Sequence, residues 1–407
     1  MKLSKYSKRD RTLSLLVLMA MLVVTSSRQS ADTQTTGICS GPSVTIPFTD
    51  VPNTNIFFCS IAEAYFSGLT NGTSLTTYSP LANVPREQMA AFVTRTMDQS
   101  VKRASKRLAL DQLWTNQGGS NLALTVVGGG TRLLALDGED LWVASDFDDR
   151  VAQVRPSNGK VVGNWTGAIN AFGVLVAMGK VFVTGRTNPG NLYQIDPTQA
   201  PGPVTTLTSS LGTFALDIAF DGQRIWTANE GPPGSVSIVT LGPPELTVTT
   251  VTTGFNMPRG IIYDGASIWV ADFGDNMLKK LDSSCNILTS VSVGTGPLYP
   301  ASDGTNILVP NLNSSSVSVV RSTGGLSGTV LATLTGNGLN GPQQVAFDGE
   351  RILVTNYFGH SVSLWKASDL TPIGTFPTGT GSGPFGACSD GLNFWITLFG
   401  SGKLARF

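Results

Sequence analysis

The chain has 407 residues, of which 41% are hydrophobic and only 13% charged, which allows a large core and excludes wholesale disorder. Basic and acidic residues balance at 27 each, so nothing points to a nucleic-acid partner. With 46 Gly and 22 Pro among many Val, Thr and Ile residues, the composition reads as short strands and many turns.

In chain order, the first element is a basic stretch, "MKLSKYSKRDRT", followed by the apolar run "LSLLVLMAMLVV" (13–24) and the small-residue segment "TSSRQSA". This pattern predicts a secretory signal peptide over 1–31, cut after Ser27 or after Ala31. The apolar run is shorter than the roughly 20 residues of a membrane-spanning helix. No second long apolar run follows, so the expectation is a secreted chain of the cell envelope or surface without a transmembrane segment. Four cysteines (Cys39, Cys59, Cys285, Cys388) and one histidine (His360) exclude a zinc site of the usual Cys/His spacing. Cys39 and Cys59 are candidates for a disulfide in such a chain, or for two separate thiols.

Residues 46–97 differ from everything downstream. A turn-rich, strand-like piece leads into a short predicted helix near Ile61–Ser67, stopped by Gly68. Met89, Phe92, Val93, Thr96 and Met97 then fall at helical spacing and predict a second helix. The stretches "FTDVP" (48–52), "GLTNG" (68–72), "YSP" (78–80) and "REQMAAFVTR" (86–95) together resemble the S-layer homology module. The resemblance implies docking to cell-wall polysaccharide or peptidoglycan, with Arg86 and Glu87 as wall-binding groups. It departs from the family in having Pro85 where a threonine is usual, and in having one copy instead of three. A guanidinium can grip a polymer carboxylate through two parallel bonds; the alternative for Arg86 is a salt bridge at a helix end. Residues 98–120, basic at first and ending in Gly-Gly-Ser, read as a linker.

From 121 to 407 one unit recurs seven times, aligned on Gly138, Gly179, Gly222, Gly265, Gly304, Gly349 and Gly391, at intervals of 41, 43, 43, 39, 45 and 42. Most copies open with an Asp-Gly turn, as in "YDGASIWVAD". A large residue follows four positions after the glycine (Trp142, Trp226, Trp269, Leu308, Leu353, Trp395; Phe182 one earlier) and a small one two positions further on. Several short antiparallel strands per unit predict one propeller blade each. The fold class is therefore mainly β: a seven-bladed β-propeller behind a small α-helical module. We expect the strand after the Asp-Gly turn to be innermost and the tryptophans to pack between blades. The last unit lacks its final strand, and "NLALTVVGGG" (121–130) supplies a spare one to close the ring. The repeats resemble YVTN/NHL-like propellers of secreted bacterial proteins, a likeness specific for fold and weak for function.

The candidate ligand site is the rim where these strands end. One position past the small residue stand Asn229, Asp272, Asn311 and Asn356, and after the proline of "G-x-x-P" stand Arg259, Gln343 and Phe385, with Arg132 equivalent in the first unit. Such a ring is compatible with a sugar, a peptide or a calcium ion, and no other cofactor is implied. Asn and Asp at strand ends also set turns by bonding their own backbone. The repeat pattern is also similar to virginiamycin B lyase-type propellers, and that likeness implies a histidine base, for which His360 is the only candidate. The leading expectation is a wall-anchored, non-catalytic propeller that displays a surface for ligand or protein binding. The alternative is a lyase or hydrolase acting on an extracellular small molecule.

Overall fold

The structure, a computed structural model, describes residues 34–39, 43–66, 70, 72–85, 89, 123–242 and 245–407. The predicted signal peptide, the linker, and the wall-binding candidates Arg86 and Glu87 lie outside the described residues, as does most of the second predicted helix. The chain divides into two compact units between Thr96 and Met97. No helix among the described residues is long and apolar enough to cross a membrane.

In the first unit, strands Thr35–Ile38 and Ser43–Ile46 form an antiparallel hairpin, and one helix runs Phe58–Phe66. The turn-rich, strand-like piece expected ahead of the helix consists of turns and bends, without a strand. The helix begins earlier than predicted because Asn55 opens it, its Oδ1 accepting from Phe57 N at 2.8 Å and its carbonyl from Phe58 N at 2.9 Å. A Cys39–Cys59 disulfide ties this helix to the end of the first strand. Two of the quoted motifs, "FTDVP" and "YSP", meet at a joint of the unit. Asp50 of "FTDVP" accepts from Tyr78 N at 2.8 Å and Ser79 N at 2.7 Å of "YSP". The Phe48 ring packs on Tyr65 and Tyr78, at 5.2 and 5.4 Å between centroids. Only one helix is described here, so the α-helical character expected of this unit is seen in part.

The second unit is a seven-bladed β-propeller of four-stranded antiparallel sheets. Blade 1 consists of Thr131–Leu136, Leu141–Ser145, Arg150–Arg155 and Lys160–Thr166, from the axis outward. Blades 2 to 7 begin with innermost strands Ala171–Ala177, Ala215–Phe220, Pro258–Tyr263, Ala301–Ser302, Pro342–Phe347 and Pro384–Ser389. Ala123–Val126 pairs antiparallel with Lys403–Arg406 and completes blade 7, so the spare N-terminal strand closes the ring as expected.

One expectation about the blade is corrected. The strand before the Asp-Gly turn, not the one after it, is innermost, and these first strands pack against one another around the axis. The small residue on the second strand marks where neighbouring blades approach most closely. Thr355 and Thr397 stand at this position and donate to the next blade's Phe385 and Arg132 carbonyls, both at 2.7 Å. A Cβ on Gly260 of the first strand would sit 2.3 Å from the Leu298 carbonyl, so that approach admits only glycine.

The Asp-Gly turn is architecture. Asp264 Oδ1 accepts from Ala266 N and Ser267 N at 2.8 and 2.7 Å, and its Oδ2 accepts from the Trp269 indole at 2.7 Å. Asp137, Asp221 and Asp390 hold Trp142, Trp226 and Trp395 in the same way. In blades 5 and 6, where leucine replaces the tryptophan, the freed oxygen takes the side chain of Asn306 or Arg351 instead. Gly265 has φ of +96° with open space around its missing Cβ, so conformation alone selects glycine there. The tryptophans are fully buried against the next blade, Trp269 beside Ile307 and Val309 and Trp395 beside Leu134 and Val143.

Candidate functional site

The antiparallel register sets one end of the axis. In each blade the first residue pair joins the start of the innermost strand to the end of the second: Thr131–Ser145, Ala171–Gly185, Ala215–Asn229, Pro258–Asp272, Pro297–Asn311, Pro342–Asn356 and Pro384–Leu398. The predicted rim residues lie at or beside these pairs, but they are not equivalent in exposure.

Asn229, Asp272, Asn311 and Asn356 are completely buried. The amide of Asn229 donates to Ser235 and Ser237 on the third strand, at 3.2 and 3.0 Å. Asn311 does the same to Ser316 and Ser318, both at 3.1 Å, and Asn356 to Ser361 and Ser363 at 3.2 and 2.8 Å. Asp272 accepts from Asn256 N and Met257 N at 2.9 and 2.8 Å, and pairs with Lys279 Nζ at 2.6 Å. Lys279 stands where the other blades have their second serine, is itself buried, and also bonds Asp275 and the Gly254 carbonyl. These four residues face the inside of their own blades because the side chain at that position points back across the strand pair. The one carboxylate of the series is half of a buried ion pair.

His360 closes the turn between the second and third strands of blade 6, with φ of +47°. Its Nδ1 accepts from Gly383 N at 3.2 Å, on the approach to blade 7. Asp149 Oδ1 accepts from Asn170 N in the equivalent way at 2.8 Å, and Asn276 Oδ1 from Gly296 N at 2.8 Å. Both also have positive φ. The sole histidine therefore occupies a repeated inter-blade latch.

The groups around the axis come from the innermost strands, which supply a first tier where only Arg132 and Arg259 are part-exposed, and from one residue beyond the expected rim. The first tier is Arg132, Phe172, Leu216, Arg259, Leu298, Gln343 and Phe385. Phe172, Phe385 and Tyr299 come from blades 2, 7 and 5, and their centroids meet pairwise at 5.6 to 5.9 Å, which closes the axis with aromatic rings. Gln343 is buried in this layer. Burial pushes the Tyr299 phenol well above its ordinary range, with Arg259 opposing. Below it, desolvation raises the Asp217 carboxyl to about 7 against the backbone N–H bonds it accepts from Ile261 and Ile218.

The second tier is Asp146, Arg186, Glu230, Phe273, Leu312, Tyr357 and Phe399. On one side, Glu230 joins Arg186 at 2.6 Å and Arg259 at 2.9 Å, and Asp146 holds Arg132 at 2.6 Å. On the other, Tyr357, Phe385 and Phe399 form an aromatic arc that continues to Phe147 and Phe358, both more than half exposed. The Arg132 guanidinium lies 4.4 Å from the Phe399 ring centre, and that of Arg259 lies 3.9 Å from Phe273. The sequence signal for this tier was the next column of the same repeat alignment.

Burial raises the Cys285 thiol to about 11 and pushes Cys388 up as well, so both stay protonated at neutral pH. No group of three or more His, Cys, Asp or Glu among the described residues is arranged to hold a metal ion.

No family model matches the chain, and no curated protein matches it in sequence. Solved structures do match in fold. A streptogramin B lyase superposes with a TM-score of 0.58 at 12% identity, covering 70% of this chain and 97% of that one. Virginiamycin B lyase from Staphylococcus aureus gives 0.58 at 13% identity, covering 70% and 98%. Kuenenia stuttgartiensis hydrazine synthase gives 0.58 at 16%, covering 72% and 97%. Proteins with such different names share this architecture, so the likeness establishes the propeller and leaves the chemistry to the site.

Proposed function

We propose that this protein is a secreted, wall-associated binding protein, anchored through its N-terminal unit to cell-wall polysaccharide or peptidoglycan. Its propeller serves as a non-catalytic platform. The observation that carries this reading is the division of the chemistry. The carboxylate Asp272 and the histidine His360 are bonded into the blades, while the accessible tier sets arginines beside an aromatic arc. That combination suits a ligand with a sugar ring or apolar face to stack and an acidic group to pair. Arg86 and Glu87 provide the wall contact in this reading.

The test is sedimentation of the full chain with purified wall fractions. Arg86→Ala with Glu87→Ala should release the protein from the wall, and Arg259→Ala with Phe399→Ala should leave wall binding intact. Undiminished sedimentation of the first variant removes the anchoring role.

A further inference from the structure

At the opposite end of the axis, where the Asp-Gly turns lie, a cleft of about 650 Å³ opens between blades 5 and 6. Arg321, Asn306, Arg351, Lys366, Phe347 and Glu350 line it. Its volume is that of an ordinary small-molecule site. Two of its three cations have partners: Arg351 pairs with Asp348 at 2.8 Å and Lys366 with Asp369 at 3.1 Å.

The third cation is explained by comparison with blade 1. There Arg155, the last residue of the third strand, pairs with Asp140, the residue just before the second strand, through two bonds, one of 3.2 Å. The same two places in blade 5 hold Arg321 and Asn306, which are cross-strand partners. Blade 5 has an amide where blade 1 has a carboxylate, as does blade 7 with Asn393, and the arginine is present in both blades 1 and 5. Asn306 Nδ2 is tied to Asp303 Oδ2 at 2.8 Å, so its carbonyl oxygen, buried and without a donor, is left over. Arg321 has no carboxylate partner among the described residues.

We propose that this cleft is a binding site for a carboxylate-bearing sugar of the uronic acid class, independent of the face described above. The sugar carboxylate takes the place that Asp140 fills in blade 1 and pairs side by side with the Arg321 guanidinium. A ring hydroxyl donates to the orphaned Asn306 carbonyl oxygen. Phe347 supplies an apolar wall, and the mouth, with Lys366 and Glu350, is open to solvent.

Glucuronate titrated into the full chain by calorimetry tests this, with glucose and inorganic phosphate as comparison probes. We expect saturable binding of glucuronate, none of glucose, and weaker binding of phosphate, which can take the Arg321 fork but has no ring to place against Phe347. Arg321→Gln should weaken glucuronate at least about tenfold, the scale of a lost charge-assisted pair. Asn306→Asp places a carboxylate opposite Arg321, as in blade 1, so it should abolish binding, and because it also removes the donor to Asp303 its thermal midpoint should fall. Arg321→Lys, which keeps the charge but loses the two-pronged match, should also weaken glucuronate and leave the thermal midpoint unchanged, which keeps the test independent of misfolding. The absence of saturable glucuronate binding, binding unchanged in Asn306→Asp, or phosphate bound more tightly than glucuronate would each overturn the proposal.

Discussion

Blade 4 and blades 3, 5 and 6 fill the same buried position with different chemistry. In the latter, an asparagine at the end of the second strand bridges two serines of the third. In blade 4 the asparagine is Asp272, the second serine is Lys279, and an ion pair replaces the amide–hydroxyl bonds. Both solutions bond the buried nitrogen donor to oxygens within the blade, although the Asn311 carbonyl oxygen in blade 5 is left without a donor. A residue that breaks a repeat is therefore informative only together with its partner. Where both changed, as here, the break is architecture. Where a pair seen in one blade has only one member in another, as with Arg321 opposite Asn306, the remaining group lacks that partner.

The largest expected effect breaks the matched pair on one side. Asp272→Asn leaves the Lys279 ammonium buried with Asp275 as its remaining carboxylate, and should cost about 3–5 kcal/mol, the scale of a broken buried ion pair. Transplanting the neighbours' solution whole, as Asp272→Asn with Met277→Ser and Lys279→Ser, should recover most of that loss. Urea unfolding midpoints at constant slope measure both. Equal destabilisation of the single and triple variants would refute the matched-exchange reading.

Asp217 is an exception of another kind, a carboxyl on an innermost strand where the neighbouring blades have Gly173 and Gly260. Its folded pKa is raised to about 7, above the ordinary carboxylate value near 4. Between those values the folded state holds a proton that the unfolded state has lost. Stability therefore falls as pH rises through this window, by about 2–4 kcal/mol in all, and is level above it. The stability difference between the wild type and Asp217→Asn should widen from pH 4 to 7 and then stop changing. A difference that is flat across the window would show that the carboxyl is ionised throughout.

The positions where blades agree give a smaller effect. Asp264→Ala strands two backbone N–H groups and the buried Trp269 indole, at a cost of about 2 kcal/mol. Asp303→Ala, with no indole to strand, should cost less. Thermal midpoints of the two variants decide it.

The seven units, the Asp-Gly turns, the buried tryptophans and the closing strand were legible in the sequence because each rests on periodicity and local turn chemistry. Radial order was not. Either strand flanking the Asp-Gly turn could be innermost by pattern, and only packing between blades at Gly260 and Thr397 selects the first. The rim was misplaced by one residue for a related reason. Asn229 and Glu230 are adjacent and both polar, and the strand's pleat alone decides which faces the axis end. The Asp272–Lys279 pairing was present in the letters but required the cross-strand register before it could be read.

His360 carries the smallest and most specific prediction, because it looks like an exception and behaves like a repeat. Asp149 and Asn276 hold the same place, with the same left-handed backbone and the same bond to a backbone N–H on the approach to the next blade. His360→Asn should therefore be neutral within about 0.5 kcal/mol, since asparagine accepts the bond and tolerates positive φ. His360→Ala loses the acceptor for Gly383 N and places alanine at φ of +47°, and should cost about 1 kcal/mol. Denaturant midpoints of the two variants separate these outcomes. If asparagine is as damaging as alanine, the imidazole does something that the other latches do not, and the comparison between blades fails at this position.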